Sequence, residues 1–154
     1  MKNSFKMRLQ IFYFNYLFHC YRRTGVKILH ISDDFKRSEI SLPLNYKTRG
    51  FFGSLFGGSM YGVVDPVLMV MLNKTLGAGY VVWDKAATVR FLKPGRTTLY
   101  AKFEVTDEQI MRIKDEVASN GKTEVEYQIS MTDSSGVEHV SIDKTLHIRK
   151  KKNK

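Results

Sequence analysis

The chain has 154 residues, of which 43% are hydrophobic and 26% are charged, and this length and balance fit one globular domain. No run of about 18 uncharged apolar residues occurs, so the sequence predicts no transmembrane segment. The formal net charge of +10 favours acidic partners, such as phosphate-bearing ligands, nucleic acid or an anionic surface. The single cysteine, Cys20, excludes an intramolecular disulfide, and we expect a cytoplasmic protein.

The first 24 residues are an aromatic, basic segment that predicts a helix. Its apolar residues recur every three or four positions, which is the spacing of one helical face: Met7, Ile11, Phe14, Phe18 and Tyr21. Bulky basic residues follow the apolar run, so we do not expect a secretory cleavage site. The helix would either cover the core or a neighbouring subunit, or lie on a membrane surface.

Residues 25–149 are predicted to form the core, with one long apolar segment between patterns typical of strands. Thr106 and Gln109 have the arrangement of a capping box, which predicts a short surface helix ending at Asn120. The strands are predicted at 26–32, 39–44, 80–92, 97–105, 125–131 and 140–148. Residues 150–154 are interpreted as a solvated basic tail, and the whole chain, 1–154, as a single domain.

The long apolar segment, residues 53–76, has a glycine-rich start and carries one anomalous carboxylate, Asp65. No other acidic or basic residue lies between Arg49 and Lys74, and a buried carboxylate needs a partner, a capping role or a chemical task. In one interpretation Asp65 caps a helix that restarts at Pro66, because Asp followed by Pro is a typical helix start. In the other, which is compatible with the first, Asp65 is catalytic or faces a ligand. Pro66 predicts that the helix is interrupted there.

These elements predict an α+β domain with about six antiparallel strands, one long buried helix and two peripheral helices. Their order is similar to the hot-dog fold, in which a curved sheet wraps one long helix. The run Gly53-Ser-Leu-Phe-Gly57-Gly58, followed by Asp65, resembles the His-Gly-Gly and Asp signature of acyl-CoA thioesterases of the phenylacetate-degradation type. The run from Trp83 to Arg96 resembles that family's strand with its Pro-Gly turn, and the chain is most similar to a largely uncharacterised bacterial branch of the fold.

The resemblance implies specific roles for residues of the glycine-rich start and the central helix. The family's catalytic carboxylate, which acts as nucleophile or as general base on water, stands at Asp65. The backbone N–H groups of Gly57 and Gly58 would form the oxyanion hole that polarises the thioester carbonyl. Phe56 stands where the family has its histidine, so the imidazole that would orient the substrate or donate a hydrogen bond to it is missing. No resident cofactor is implied, because coenzyme A would be part of the substrate.

Several further residues are candidates for contact with a ligand. Lys85 either points inward, where it would pair with Asp65 or with the ligand, or points to solvent. The basic residues near the Pro-Gly turn would bind the phosphates of coenzyme A, or would be ordinary surface charges. The full set of ligand-binding candidates is Phe56, Ser59, Trp83, Lys85, Arg90, Lys93 and Arg96. The four histidines lack metal-ligand spacing, so no metal site is predicted.

Two functions fit these predictions. The first is hydrolysis of an acyl-CoA or acyl-carrier thioester, with an acyl tunnel near Phe51, Met60, Met69 and Met71. The second is a non-catalytic acyl-binding or assembly role, because Phe56 replaces the histidine of the motif. Nucleic-acid binding is not expected, since no binding motif accompanies the basic residues. The resemblance implies a homodimer, or a dimer of dimers, with the site at the subunit interface, and a lone sheet would leave an edge strand to cover.

Overall fold

Helix α3 (Gly57–Leu76) lies against a six-stranded antiparallel sheet in the computed structural model, which describes residues 4–151. The strands are β1 (Lys27–Ile31), β2 (Arg37–Leu42), β3 (Tyr80–Phe91), β4 (Leu99–Glu104), β5 (Lys122–Thr132) and β6 (Glu138–Lys150). Their order across the sheet is β1-β2-β4-β5-β6-β3, so β1 and β3 are its two edges. The predicted α+β class is confirmed, including the six strands and the long central helix.

The core lies between α3 and the sheet. Apolar side chains of α3 are fully buried there, and they pack with apolar residues of β4 and β6. Burial of each such side chain stabilises the fold by about 1.5–3 kcal/mol, which is the main force that holds α3 to the sheet. The most deeply buried of these residues are Val63, Val64, Leu68, Leu72, Leu99, Val140, Ile142, Leu146 and Ile148.

Pro66 lies inside α3 and does not interrupt it, so the predicted break is wrong. Asp65 is not an N-cap either, because the helix begins at Gly57 and its N-cap residue is Phe56. A proline inside a helix costs about 3 kcal/mol, but burial of the apolar residues on both sides of it outweighs that cost. Side chains also bond to the helix carbonyls near the proline: Tyr21 donates to the Val63 oxygen at 2.7 Å, and Lys144 donates to the Asp65 main-chain oxygen.

Helix α4 (Asp107–Asn120) follows the sequence prediction closely. The Thr106 hydroxyl accepts from the Gln109 N–H at 3.2 Å, and the Gln109 side chain accepts from the Thr106 N–H at 2.9 Å. The helix ends at Gly121, whose φ of 74° lies in the left-handed region. This region favours glycine, so the capping box and the stop signal are both confirmed.

The N-terminal segment is not one continuous helix, in contrast to the prediction. It consists of α1 (Phe5–Phe12), a π-helical turn (Tyr13–Leu17) and α2 (His19–Arg23). Within the predicted stripe, Met7 and Tyr21 are buried and Ile11 and Phe14 are partly buried, but Phe18 is exposed. None of the helices in the described range 4–151 is long and apolar enough to cross a membrane.

The C-terminal end of the core extends slightly beyond the predicted boundary. Strand β6 continues through Lys150, so the predicted basic tail of residues 150–154 begins later than expected. Residues 152–154 of that tail lie outside the described residues.

Candidate active site

The buried side chain of Lys144 lies between two carboxylates, Asp65 and Asp84. Its Nζ is 3.1 Å from Oδ1 of Asp65 and 3.0 Å from Oδ1 of Asp84, and the lysine side chain is wholly buried. Burial of an ammonium group is costly unless opposite charges and hydrogen bonds compensate for the lost water. The two carboxylates supply that compensation, so the three groups form one charged cluster.

Three different elements bring these side chains together. Asp65 lies on α3, Asp84 on β3 and Lys144 on β6, the neighbour of β3. The register places Ala87 beside Lys144, whereas Asp84 pairs with Leu146, and the pairing is irregular between Asp84 and Ala86. One extra residue at this bulge reverses the alternation of faces, so Asp84 and Ala87 both face α3.

Lys85, at the bulge, and Trp83, which precedes it, lie on the opposite face of the sheet. Nζ of Lys85 is 2.6 Å from a carboxylate oxygen of Glu124, and the Trp83 ring stacks on His147 with centroids 4.5 Å apart. Of the two alternatives for Lys85, the structure supports the one that points to solvent. The residue that pairs with Asp65 is Lys144.

Tyr61 completes the surroundings of Asp65. Its hydroxyl donates to Oδ1 of Asp65 at 2.8 Å, and burial together with this hydrogen bond raises the pKa of Tyr61 to about 12. Burial also raises the pKa of Asp84, an effect that Lys144 opposes. The Asp65 side chain is 42% exposed and that of Asp84 is 23% exposed, so Asp65 is the more accessible carboxylate.

The two oxygens of the Asp65 carboxylate have different surroundings. Both Tyr61 and Lys144 contact Oδ1. Among residues 4–151, no group donates a hydrogen bond to Oδ2. One oxygen therefore fixes the orientation of the carboxylate, and the other is available to water or to a ligand.

The N-terminus of α3 carries the predicted glycine pair. In the described chain no side chain caps this end, so the first N–H groups of the helix have no side-chain acceptor. Aromatic rings cover both glycines closely: a Cβ at Gly58 would lie 2.4 Å from the Phe56 ring, and a Cβ at Gly57 would lie 3.2 Å from the Phe91 ring. Glycine at 57 and 58 permits this approach of the rings to the main chain.

The glycine pair and Asp65 are not adjacent within one chain. Asp65 follows Gly57 by eight residues in a continuous helix, which corresponds to about 12 Å along the helix axis. A single thioester carbonyl cannot contact both groups across that distance. The structure of one chain therefore does not bring together the two halves of the predicted site.

The remaining ligand candidates lie at three places. The N–H of Leu55 donates to the Gly95 oxygen at 2.8 Å, which holds the turn that carries Lys93 and Arg96 against the loop leading into α3. Both basic side chains are exposed there. Arg90 instead forms an ion pair with Asp143, and Ser59 lies half-buried in the first turn of α3.

An apolar cavity of about 140 Å³ separates the N-terminal segment from α3. Its walls include Phe14, Phe18 and Tyr21 from the N-terminal segment, and Pro66, Met69 and Met71 from α3. Two of the predicted tunnel residues, Met69 and Met71, thus line a cavity. The other two do not line it, since Met60 is buried elsewhere in the core and Phe51 is 98% exposed.

Comparison with known proteins establishes the family. Residues 16–148 match the family model described as a domain of unknown function, DUF4442. The chain belongs to the DUF4442 family. No curated protein sequence matches this DUF4442 chain.

Solved structures resemble this DUF4442 chain along nearly its whole length. PA5026 from Pseudomonas aeruginosa, a protein of unknown function described as a probable thioesterase, has a TM-score of 0.82 and 16% identity, over 94% of this chain and 95% of that one. The thioesterase HI1161 from Haemophilus influenzae has a TM-score of 0.67 and 15% identity, over 97% and 94%. The PaaI protein from the phenylacetic acid degradation operon of E. coli has a TM-score of 0.63 and 18% identity, over 92% and 93%. The predicted hot-dog fold is confirmed.

Sequence reasoning missed Tyr61, Asp84 and Lys144, although one of them left a signal. Lys144 occupies an inward position in the alternation of β6, between Ile142 and Leu146, and a lysine at such a position needs a buried partner. Asp84 gave no comparable signal, because its face depends on the bulge at Lys85.

Proposed function

We propose that this protein hydrolyses an acyl thioester, with Asp65 as general base or nucleophile. The observation that carries the proposal is the asymmetry of the Asp65 carboxylate. Lys144 and Tyr61 hold Oδ1, while Oδ2 has no donor among the described residues and the side chain is partly exposed. A carboxylate that is oriented on one side and open on the other suits proton transfer from water.

The chemistry would proceed through a tetrahedral intermediate. Water attacks the thioester carbonyl carbon, a new C–O bond forms, and Asp65 accepts the proton that the water loses. Negative charge develops on the carbonyl oxygen, where N–H groups of Gly57 and Gly58 stabilise it. Collapse of the intermediate breaks the C–S bond, and the proton passes to the thiolate that leaves. In the nucleophilic alternative Asp65 attacks the carbonyl carbon and displaces the thiolate as the C–S bond breaks. Water then hydrolyses the resulting anhydride, which releases the acid and restores the Asp65 carboxylate.

We infer that a complete site needs two copies of the chain. The glycine pair and Asp65 of one copy are about 12 Å apart along α3, so a second copy must supply one of the two groups. The edge strand β3 offers a route, because its 12 residues pair only with β6 within the described chain. Main-chain pairing of two β3 edges would join the copies into a homodimer.

The bulge on β3 constrains the register of such a dimer. In an antiparallel pair, residues that lie opposite each other point to the same face of the sheet. A two-fold axis at Thr88 would place Ala87 of one copy opposite Val89 of the other. Because the bulge adds one residue at Lys85, the pairing shifts by one position beyond it. Phe91 of one copy would then lie opposite Asp84 of the other. Phe91 packs against Gly57, so this register would bring one glycine pair toward the other copy's Asp65.

The cavity next to α3 is our candidate for the acyl group. Met69 lies one helical turn after Asp65 and lines the cavity, whose surface is almost wholly apolar. Its volume of about 140 Å³ is similar to that of an engineered protein cavity of about 150 Å³ that binds benzene. We therefore expect short or aromatic acyl groups to be preferred over long chains. The exposed Lys93 and Arg96 would bind phosphates of the carrier.

A second function is favoured by the position of Phe56. Its ring covers Gly58, where the oxyanion would have to bind, and it provides no hydrogen bond. If the ring remains there, the protein would bind acyl thioesters without turnover. This is the acyl-binding or assembly role.

One experiment separates the two functions. Release of free thiol is measured for a panel of acyl-CoA esters with wild type, with Asp65→Asn and with the surface control Asp115→Asn. We expect hydrolysis by wild type and by the control, and a loss of about 10²–10⁴ in rate for Asp65→Asn. Binding without hydrolysis for every ester, measured by calorimetry, would support the acyl-binding role instead. Unchanged hydrolysis in Asp65→Asn would exclude Asp65 as the catalytic group.

A further inference from the structure

The N-terminal segment, residues 4–24, has a second apolar face that points away from the protein. On α1, Phe5, Leu9 and Phe12 are 83%, 62% and 51% exposed, although Met7 on the opposite side is buried. The three residues recur at spacings of four and three, so they form one stripe along the helix. The stripe continues along the π-helical turn through Tyr13, Tyr16 and Leu17, which are exposed as well. A contiguous exposed apolar patch of this kind marks an interaction surface.

The charges that the segment itself carries all have one sign, and one carboxylate, Asp33, contacts its start, where it accepts from the Ser4 hydroxyl. The first 32 residues contain no Asp or Glu, and they contain six basic residues: Lys2, Lys6, Arg8, Arg22, Arg23 and Lys27. At about 100° per residue, Lys6 and Arg8 project on the two sides of the stripe on α1. An exposed apolar stripe between basic residues is the pattern of helices that lie in the interface of a lipid bilayer.

A basic groove continues the same surface toward the loop after β2. It has a volume of about 890 Å³, and Tyr16 lies both in its wall and on the apolar stripe. Each of the four charged residues that line it is basic: Arg22, Arg23, Lys27 and Lys47. Basic clusters beside apolar side chains match the phosphates of anionic lipid headgroups, and each cation near the bilayer contributes about 1 kcal/mol to binding.

The surface is held in place on the body of the protein. The amide side chain of Asn15 accepts from the N–H of Ile28 at 2.8 Å and donates to its oxygen at 3.1 Å. The Tyr21 hydroxyl donates to the Val63 oxygen at 2.7 Å. The segment therefore presents its apolar stripe without having to fold first, which lowers the entropic cost of binding.

The position of the surface leaves it accessible in the dimer proposed above. The segment packs against β1, and five inter-strand spacings of about 4.8 Å separate β1 from β3 across the sheet. A second copy that pairs along β3 would thus lie about 24 Å away. The apolar stripe needs a different partner.

We propose that the N-terminal segment and the adjacent basic groove form a docking surface for a bilayer that contains anionic lipids. Phe14 and Phe18 of this segment line the apolar cavity beside α3, so the docked face lies next to that cavity. Binding depends on burial of the apolar stripe together with attraction between the cations and the headgroups. It does not depend on hydrolysis, so it is tested separately from the proposed activity.

The test is flotation of the full chain with vesicles of phosphatidylcholine alone or mixed with phosphatidylglycerol. We expect binding to the mixed vesicles, weak binding to the neutral ones, and a decrease as salt is added. Arg22→Ala with Arg23→Ala should weaken binding roughly thirty-fold, since two cations are removed. Phe5→Ser with Phe12→Ser should abolish it. The matched controls are Lys102→Ala with Lys114→Ala, and Met111→Ser, which change exposed residues elsewhere and should bind as wild type does.

Several results would overturn the proposal. One is that wild type does not bind the mixed vesicles. Another is that both N-terminal double variants bind these vesicles as strongly as wild type does, when thermal melts show that the variants are folded. Stronger binding to a single-stranded RNA oligonucleotide than to vesicles would reassign the surface to nucleic acid. Absence of lipid binding, together with an oligomer that dissociates in Phe5→Ser with Phe12→Ser, would assign the stripe to another copy of the chain.

Discussion

Nζ of Lys144 lies 3.1 Å from Oδ1 of Asp65, and the lysine side chain is wholly buried while the carboxylate remains partly exposed. The pair joins the middle of the central helix to the sheet, because Asp65 is on α3 and Lys144 is on β6. The positive charge of Lys144 also balances the carboxylate of Asp84. The stability of the fold and the geometry of the candidate site thus depend on the same contact.

Replacement of this lysine should destabilise the protein strongly. Lys144→Met leaves Asp65 and Asp84 without their cation, and loss of one partner of a buried ion pair costs about 3–5 kcal/mol. Urea unfolding followed by circular dichroism measures the change. The control is Lys85→Met, whose partner Glu124 is exposed, and about 0–1 kcal/mol is expected there. Equal effects of the two substitutions would show that the Lys144 cluster does not contribute to stability.

Restoration of a histidine at the start of α3 should increase activity. Phe56→His replaces the ring over Gly58 by one that can donate a hydrogen bond, and one such donor contributes about 10²–10³ to the rate in oxyanion holes. We expect thiol release from acyl-CoA to rise at least ten-fold, which is measured with a thiol reagent.

The control for that substitution is Phe52→His, at an exposed position outside the helix. It should leave the rate of thiol release unchanged. A rate for Phe56→His that stays at the wild-type level, with Asp65 still required, would mean that Phe56 does not limit hydrolysis.

The proposed register of the dimer is open to a cross-linking test. Directly opposite residues of antiparallel strands have Cβ atoms about 4.5–5.5 Å apart, which is near the range for a disulfide. In a Cys20→Ser background, Thr88→Cys should form a covalent dimer under mild oxidation, visible on a non-reducing gel. Glu126→Cys, on the exposed face of β5, should remain monomeric on the same gel. Cross-linking by the β5 variant alone would reject pairing through β3.

The acid stability of the protein should depend on Asp133 in the turn between β5 and β6. Hydrogen bonds from Ser135, followed in importance by the contact with His139, hold the pKa of Asp133 well below its ordinary value of 3.8. Because the folded-state pKa is lowered, the carboxylate contributes stability above the unfolded pKa. That contribution is lost as the pH falls through the folded pKa.

Asp133→Asn should therefore be less stable than wild type near neutral pH, and the difference should shrink as the pH falls below about 4. Urea unfolding at a series of pH values measures it. Asp115→Asn, on the exposed side of α4, serves as the comparison and should show no such convergence. If the difference in free energy of unfolding between wild type and Asp133→Asn stays constant with pH, the lowered pKa of Asp133 is not what stabilises the fold.

Local signals in the sequence were sufficient for most of the fold. The capping box of Thr106 and Gln109 placed α4 correctly because cap hydrogen bonds involve neighbouring residues only. The break predicted at Pro66 is wrong because the helix is stabilised by burial of α3 against the sheet, which involves residues distant in the sequence. The face on which Lys85 lies was left open for a related reason, since a bulge depends on pairing with β6 and not on the residue itself.

The candidate site was predicted only in part. Asp65 and the glycine pair followed from the resemblance, but the ion pair with Lys144 joins residues that are 79 positions apart. No local pattern reports such a contact. The inward lysine in β6 signalled only that a partner had to exist.

The bidentate contact of Asn15 with Ile28 makes the two borders of the sheet unequal. A side chain that occupies both main-chain groups of Ile28 stops a foreign strand from adding there, whereas β3 has no such cover within residues 4–151. A sheet with only one open edge can pair with one other sheet, and the pair then has no unpaired edge strand. In the proposed dimer, pairing through β3 would therefore stop at two copies, because the Asn15 amide leaves the β1 edge closed to a third.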